Sequence, residues 1–340
     1  MNDKVATIRD VAARAGVGVK TVSRVINNEP HVAAATRQRV LSAIDELDYR
    51  PNAAGQGLRR AVAGTIAFVC EDTSEAFSQA VASSIESAAG QRSAFVTAST
   101  RGDSAREREL LESLIARNVN GIVLAPSRGD LGYLKHRHGH TAIVCVDRPA
   151  AGFTADLAMS DNEAGMARAT ELLVGRGHRR IAYFGDSARL VTQRERLAGY
   201  LAVLDANGLR ADHTLVYQHS PDVERVRRQL AYLAKLPEPP AAVVSANSLT
   251  TLDLIHAGLP VDSGGFVAFD DFPLADVVLG GITCVVQDAR AIGEAAAGLL
   301  FRRMTGDRSE ARVVRVPTKL IERSIASPDQ VRWTNRIAAR

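Results

Sequence analysis

Apolar residues recur at helical spacing in three short segments of the first 50 residues. In the first segment they stand at i, i+3, i+4 and i+7 after Thr7, which is placed to cap the helix, and Gly16 ends it. A second helix is predicted to run to about Asn27 and a third over about 34–47, each with one apolar face. The pattern predicts two helices joined by a tight glycine turn, with a third packed beside them.

Beyond residue 64 the chain alternates between short apolar runs and longer segments with helical spacing. The runs of strand character are GTIAFVC, SAFVTAS, GIVLA, TAIVCVD, RIAYFG, AAVVSA, GFVAFD and ITCVV. Helices are predicted over 76–90, 104–118, 163–175, 193–207, 222–235, 248–257 and 289–304. Such alternation predicts an α/β body with doubly wound parallel sheets, in which ligands bind outside the carboxyl ends of the strands.

Polar side chains stand at those strand ends. Asp147, Asn247, Asp270 and Gln287 each come directly after an apolar run. Acids and amides gathered at one edge of a sheet suit a hydroxyl-rich or charged small molecule. A single residue of this kind caps the following helix as readily as it binds a ligand, so the prediction depends on the group.

Charge is distributed unevenly along the 340 residues. Residues 1–60 hold ten Lys or Arg and six Asp or Glu, so they carry the whole formal net charge of +4. A polyanionic partner is therefore expected at the helical head. No apolar run reaches the roughly 18–20 residues that span a bilayer, and the N-terminus lacks a signal-peptide core, so we expect a cytoplasmic protein without membrane contact.

Motifs for catalysis or metal binding are missing from the pattern. There is no GxSxG, no P-loop and no CxxC pair, and the three cysteines lie in apolar runs where buried, reduced thiols are expected. His136, His138 and His140 lie close together, but no cysteine or acid completes a metal site, so an exposed loop is the better interpretation. We expect no enzyme activity, no cofactor and no metal.

The second helix presents the chemistry of DNA recognition on the face opposite its apolar residues. Arg24 can donate to guanine and Val19 can pack on a thymine methyl group, while Lys20 can reach either a base or a phosphate. Thr7, Ser23 and Thr36 carry short hydroxyl donors suited to phosphates. Taken alone, these residues fit a small helical bundle with a solvated polar face equally well.

Residues 7–52 resemble the DNA-binding head of the lactose repressor (LacI/GalR) family, and TVSRVIN and YRPN are its most specific motifs. The resemblance implies a regulator, with a repressor as the expected type. It implies base or backbone contacts from Thr7, Val19, Lys20, Thr21, Ser23, Arg24, Asn27, His31, Thr36, Tyr49 and Asn52. It also implies that Leu58, in a hinge over 51–63, wedges into the minor groove. Gly18 and Ala33 stand where the family usually has serine. Gly18 is a weaker cap for the second helix, and with Ala33 the third helix lacks its usual cap.

The body resembles the same family's regulatory domain, which is built like periplasmic sugar-binding proteins. The stretches that carry this resemblance are VDRP, SDNEAGMARATELLVGRGHRRIAYFG, RERLAGY, AFDD and PTKLIERS. It implies that Arg196 and Asp270 are the main effector contacts. Lesser contacts are implied for Phe77, Asp147, Thr192, Asn247 and Gln287. About Ser220 stands where an aromatic residue commonly stacks on the effector, which argues against stacking on a sugar ring. The resemblance still implies a sugar or sugar derivative as the effector, with a nucleobase, nucleoside or other polar metabolite as the alternative.

The expected organisation is an all-α helix-turn-helix head followed by a two-lobed, periplasmic-binding-protein-like α/β body. The predicted segments are a head over 1–50, a hinge over 51–63, a body over 64–327 and a tail over 328–340. Within the body one lobe takes 64–160 with 288–316 and the other 161–287 with 317–327. The resemblance implies a homodimer on near-palindromic operator DNA, in which a ligand between the lobes changes the spacing of the two heads. A transport receptor or an enzyme on the same fold is the alternative, against which the basic head and the missing catalytic motifs argue.

Overall fold

The structure is a computed structural model that describes residues 8–26, 32–47, 64–90, 93–260 and 264–323. It divides into two compact units, Met1–Thr65 with Gln91–Ala94, and Ile66–Gly90 with Phe95–Arg340. The domain boundaries predicted near residues 50, 63 and 327 lie outside the described residues and stay predictions.

The first unit contains a helical head. Its helices are α1 (Ile8–Ala15), α2 (Val19–Ile26) and α3 (Ala34–Glu46). They share one apolar core, in which Val11, Val22 and Val40 are completely buried. Gly16 forms the turn between α1 and α2 at a φ of 64°, a conformation that costs glycine little and other residues more. The predicted helix-turn-helix is therefore present.

The chain beyond residue 64 forms two six-stranded sheets among its described residues. The strands of the first sheet are β1 (Thr65–Cys70), β2 (Ala94–Ser99), β3 (Gly121–Leu124), β4 (Ala142–Val146), β5 (Asp156–Ser160) and β11 (Val313–Val316), in the order β11-β5-β4-β3-β1-β2. The pairings from β11 to β1 are parallel. Helices α4 (Ala76–Ala89) and α11 (Ala289–Met304) pack on one face, and α5 (Ser104–Ala116) with the one-turn α6 (Leu134–Arg137) packs on the other. We refer to this layered structure as the first lobe.

The second sheet makes the second lobe in the same way. Its strands are β6 (Ile181–Gly185), β7 (Val216–Gln218), β8 (Ala242–Ser245), β9 (Phe266–Phe269), β10 (Thr283–Val286) and β12 (Lys319–Ile321), in the order β12-β10-β9-β8-β6-β7. The pairing of β10 with β12 is antiparallel and the others are parallel. Helices α7 (Asn162–Gly175) and α8 (Val191–Ala206) cover one face, and α9 (Val223–Leu233) and α10 (Ser248–His256) cover the other. Short 3₁₀ turns lie at His213–Leu215 and Val278–Gly280.

Three crossovers join the two lobes, after β5, after β10 and between β11 and β12. Polar contacts also connect the carboxyl ends of strands in different lobes. Ser160, at the end of β5, donates to Gln287 beyond the end of β10 at 2.6 Å. Arg128 lies beyond β3 and approaches Asp186, beyond β6, to 3.6 Å. We use the word cleft for the space bounded by these strand ends.

The predicted fold class is confirmed: a helical head and an α/β body of two parallel sheets covered by helices. The helix predicted over 289–304 is observed with those bounds, and the other predicted helices are displaced by at most two residues at either end. The prediction of an exposed loop around His136 is wrong in part. His136 and His140 are exposed, but the segment forms the one-turn helix α6, which buries Leu134. Strands β5, β7, β11 and β12 were not predicted.

Two further features bear on the expectations from composition. Cys70, Cys145 and Cys284 are buried free thiols, as predicted. Burial raises the pKa of Cys145 and of Cys284 to about 12, so both thiols are protonated at neutral pH. No helix in the described part of the chain is both long and apolar enough to cross a membrane.

Candidate functional site

Helix α2 presents a polar surface because its apolar side chains are buried in the core of the head. Val22 and Val25 pack against α1 and α3, which leaves Val19, Lys20 and Arg24 exposed on the remaining face. Val19 keeps 43% of its surface exposed. An exposed apolar side chain beside two cations can contact methyl groups and base edges in a major groove.

The other predicted DNA-contacting residues divide into two sets. Thr21, Ser23 and Thr36 are described and half-buried, so none of them is enclosed in the core of the head. Thr7, Asn27, His31, Tyr49, Asn52 and Leu58 lie outside the described residues. Arg14 of α1 and Glu46 of α3 form an ion pair that ties the first and third helices together.

Arg196 is the most completely enclosed cation of the cleft. It lies on α8 with only 3% of its surface exposed, and its guanidinium lies over the ring of Phe269, 3.8 Å from the centroid. Nε donates to Asn162 Oδ1 at 2.8 Å and Nη1 donates to the carbonyl of Ala246 at 2.5 Å. Nη1 also lies 3.5 Å from Asp270 Oδ2. A buried cation with this many partners is fixed in one orientation.

Close packing of α8 on α7 makes the contact between Arg196 and Asn162 possible. Gly199 lies where the two helices meet, and a Cβ at this position would overlap the carbonyl oxygen of Glu163. Asn162 is the first residue of α7, and Arg196 lies one turn before Gly199 on α8. The glycine therefore brings the two polar side chains within hydrogen-bonding distance.

Asp270 connects Arg196 to the crossover after β10. The residue directly follows β9 and adopts a φ of 73°. Its Oδ1 accepts a 2.6 Å hydrogen bond from Gln287 Nε2. Burial raises the pKa of the Asp270 carboxyl above its ordinary value, and the Arg196 guanidinium opposes the shift. Asp270, Arg196 and Gln287, three of the predicted effector contacts, thus form one connected group.

The first lobe contributes a second polar group to the cleft. Asp147 directly follows β4 and adopts a φ of 67°, close to the conformation of Asp270 in the other lobe. Arg148 Nε donates to Asp147 Oδ2 at 2.8 Å. Glu75 caps the start of α4 without a side-chain hydrogen bond to the helix. Desolvation and the nearby carboxylates of Asp270, Asp147 and Glu71 raise the pKa of Glu75 to about 7.

The remaining predicted effector residues are less closely joined to this group. Thr192 is buried on α8 one turn before Arg196. Asn247 lies next to Ala246, but its side chain accepts from the backbone N–H of Thr250 at 2.7 Å and so caps α10. Phe77 is half-buried on α4, where it packs against the core of the first lobe. Asn247 therefore has the helix-capping role that the sequence left open.

The sequence prediction missed Asn162, Ser160 and Glu75. Ser160 and Asn162 lie at the end of β5 and the start of α7, and β5 was not predicted, so no strand end pointed to them. Glu75 follows an apolar run at a distance of four residues and carries no motif. The available signal was the predicted start of a helix directly after Asn162 and directly after Glu75, since polar residues commonly stand at helix starts.

Donors and acceptors of both lobes therefore face one cleft. Carboxylates, a glutamine amide and two guanidinium groups can exchange hydrogen bonds with a polar small molecule. No group of three or more His, Cys, Asp or Glu residues in the described ranges is arranged to hold a metal ion.

A head with an exposed, basic second helix and a body with a polar cleft between two lobes are together the parts of a ligand-responsive DNA-binding regulator. Residues 7–52 match the family described as bacterial regulatory proteins, lacI family, and residues 170–324 match the periplasmic binding protein-like domain. The chain belongs to the LacI family of bacterial transcription regulators, as its resemblance implied, and its relatives are regulators rather than enzymes.

Three relatives illustrate the match. The HTH-type transcriptional regulator GalS of Salmonella typhimurium is 30% identical over 308 residues, which cover 88% of this chain and 90% of GalS. The HTH-type transcriptional repressor PurR of Vibrio atlanticus is 28% identical, covering 94% of this chain and 98% of PurR. The solved complex of the transcriptional regulator CelR with cellobiose is 30% identical with a TM-score of 0.67, and the match covers 94% of this chain and 100% of CelR.

Proposed function

We propose that this chain is a sequence-specific repressor that reads operator DNA through α2. The observation that carries the proposal is the exposed set of Val19, Lys20 and Arg24 on a helix whose opposite face is buried. Lys20 and Arg24 supply cations for phosphates and guanine, and Val19 supplies a methyl contact. Thr21, Ser23 and Thr36 add hydroxyl donors to the backbone. A repressor is the favoured type because relatives such as PurR of Vibrio atlanticus are named as repressors.

The proposed effector is a neutral, hydroxyl-rich small molecule bound in the cleft, a sugar or sugar derivative. Asp270 and Asp147 offer carboxylate oxygens to ligand hydroxyls, and Arg196 and Gln287 offer donors as well. Carboxylates outnumber cations around Glu75 and Asp270, which disfavours an anionic ligand. The cellobiose complex of CelR supports a sugar. A nucleobase or nucleoside is the second candidate, because amide and carboxylate groups also pair with its ring edges.

The active form is proposed to be a homodimer. The segment between β9 and β10 exposes Leu274, Val277 and Leu279, and Leu274 and Val277 each keep about two thirds of their surface accessible. Leu274 and Leu279 also have positive φ, which is costly for leucine and is maintained only when the surroundings fix it. We assign this apolar segment to contact with a second copy, since a two-fold dimer places two heads on a near-palindromic operator. The compartment proposed for such a protein is the cytoplasm, where its DNA lies.

The test is to select DNA from a random pool with the full chain, and then to titrate the selected site with cellobiose, D-ribose and hypoxanthine. We expect a near-palindromic consensus and at least a tenfold change in its affinity with one ligand class, which corresponds to about 1.4 kcal/mol of coupling. Selection of no consensus would contradict the DNA-reading role. A response to hypoxanthine alone would replace the sugar by the nucleobase.

A further inference from the structure

The guanidinium of Arg196 is held by a chain of hydrogen bonds that continues beyond the cleft. Asn162 Oδ1 accepts from Arg196 Nε, and Asn162 Nδ2 donates to Glu195 Oε2 at 3.1 Å. Glu195 in turn accepts two hydrogen bonds from Arg315, at 2.6 Å to Oε1 and 3.2 Å to Oε2. Four side chains thus form a continuous path from Arg315 to Arg196.

This path crosses from one lobe to the other. Arg315 lies on β11 of the first sheet, whereas Glu195 and Arg196 are neighbours on α8 of the second lobe. The side chain of Glu195 is only 17% exposed and that of Asn162 is buried, while the side chain of Arg315 is 45% exposed. The buried part of the path is therefore protected from solvent screening more than an ordinary surface ion pair.

Asn162 can accept the hydrogen bond from Arg196 only in one orientation of its amide. Its oxygen must face Arg196 and its nitrogen must face acceptors, which are Glu195 Oε2 and the carbonyl of Ser160 at 3.2 Å. The carboxylate is the stronger of the two acceptors because the bond to it is charge-assisted. Arg315 holds that carboxylate through a two-pronged contact, which fixes both its distance and its plane.

We propose that Glu195 and Arg315 are positioning residues for the effector site, whose ion pair between the lobes orients Asn162 and thereby Arg196. The inference rests on the proposed role of Arg196 in effector binding. Its consequence is a link between ligand affinity and lobe orientation. A movement of the first lobe relative to α8 changes the Arg315–Glu195 contact, so ligand binding and lobe movement influence each other by the same factor.

The direct test measures the exchange of the Arg196 Nε–H with water by NMR of the full, ligand-free chain labelled with ¹⁵N-arginine. The signal is assigned by its loss in Arg196→Lys. Glu195→Leu keeps the volume of the side chain and removes the acceptor, and Glu195→Gln restores an acceptor without the charge. Glu294→Leu is the matched control, because Glu294 forms an exposed ion pair with Arg290 on α11.

We expect the Arg196 Nε–H to exchange at least roughly tenfold faster in Glu195→Leu than in the parent chain, the loss typical of a charge-assisted bond. Glu195→Gln should lie in between, and Glu294→Leu should match the parent. Arg315→Met should speed exchange in the same direction, and combining it with Glu195→Leu should add nothing further. The Nε–H of Arg303, which donates to Asp156 at 2.7 Å, is the internal reference. Its exchange should become faster only if a variant destabilises the whole body.

Unchanged exchange at Arg196 in both Glu195→Leu and Arg315→Met would overturn the proposal, as would parallel changes at Arg196 and Arg303. The result is independent of the effector, so the two proposals fail separately. If Arg196→Ala still responds like the parent chain to whichever of cellobiose, D-ribose and hypoxanthine is active, the proposed effector site is wrong while the positioning result stands. If only the exchange test fails, the effector site stands without its positioning pair.

Discussion

Desolvation and neighbouring carboxylates disfavour the charged forms of Glu75 and Asp270. Arg196 compensates Asp270 through its 3.5 Å approach, but no cation approaches Glu75 within ion-pair distance in the described structure. A carboxyl whose pKa is raised on folding holds its proton more tightly in the folded chain. Below its ordinary pKa of 4.5, Glu75 is protonated in both the folded and the unfolded chain and does not lower the free energy of unfolding. As the pH rises from 4.5 to about 7, the unfolded chain loses this proton more readily, so the free energy of unfolding falls.

Glu75→Gln should consequently stabilise the chain at pH 8 and leave it unchanged at pH 4.5. The expected gain in the free energy of unfolding at pH 8 is about 1 kcal/mol. It is smaller than the raised pKa alone would give, because Glu75 is accessible at the surface and solvent screens part of the charge interaction. Denaturant unfolding at the two pH values measures it. Glu86→Gln, an exposed glutamate on the same helix, is the control and should have no pH-dependent effect. Equal stability of Glu75→Gln and the parent at pH 8 would show that Glu75 is fully hydrated.

Individual site residues were predictable to different degrees. Arg196 and Asp270 were predicted because RERLAGY and AFDD carry them, and the structure places them 3.5 Å apart, while their role toward an effector stays a prediction. Asn162 and Glu195 have no comparable signal. Their roles arise from contacts with residues 34 and 120 positions away, and nothing local in the sequence records such pairings.

At the level of elements, the long helices and the buried central strands were largely predictable, whereas the short edge strands were not. Helix α11 repeats apolar residues over sixteen positions, which is enough to define its period. Strands β7, β11 and β12 contain three or four residues each and lie at or next to the edges of their sheets, where one face stays polar. Such segments have no alternation long enough to recognise, and their pairing partners decide their structure.

Helix α3 begins without a side-chain cap, because Ala33 occupies the N-cap position and makes no capping hydrogen bond. Its backbone is extended there, with φ of −55° and ψ of 140°, which is the conformation a capping serine adopts. Ala33→Ser should therefore stabilise α3 by about 0.5–1 kcal/mol. Amide hydrogen exchange in the first turn of α3 measures the gain directly.

The matched variant is Gln38→Ser, which places the same hydroxyl at an exposed interior position of α3. It should give a small loss, because serine is a weaker helix former than glutamine and no free amide is available there. Slower exchange in both variants, or in neither, would contradict the capping argument.

For the whole molecule, the apolar segment at Leu274–Leu279 has a consequence for assembly. Val277→Asp places a charge on this surface, and burying it against a second copy would be costly. We expect the parent chain to sediment as a dimer at micromolar concentration and Val277→Asp as a folded monomer. Val313→Asp, which alters a comparably exposed valine on β11, should remain a dimer. A dimeric Val277→Asp would place the interface elsewhere.

The fold class of the head and the body followed from the sequence, but the contacts between the two lobes of the body did not. Alternating runs predicted two parallel sheets and the side of each sheet where ligands bind. The contacts across the cleft, such as Ser160 with Gln287 at a separation of 127 residues, depend on three crossovers that bring distant segments together. The pattern of apolar and polar residues predicts the sheets, but it does not predict the contacts that hold the two lobes together.

DNA reading and the response to effector are proposed to reside in separate parts of the chain, the head and the body. Two variants test it, Arg24→Ala on α2 and Arg196→Ala on α8. The measurement is the fluorescence anisotropy of the selected operator, with and without the effector found in the titration, at one fixed salt concentration because salt alone changes such affinities.

Arg24→Ala is predicted to lose about 1–3 kcal/mol of affinity for the operator and much less for random DNA, with effector binding intact. Arg196→Ala is predicted to retain operator affinity and to lose the response to effector. The account is contradicted if Arg196→Ala responds at the same effector dose as the parent chain, or if Arg24→Ala weakens binding to operator and random DNA equally.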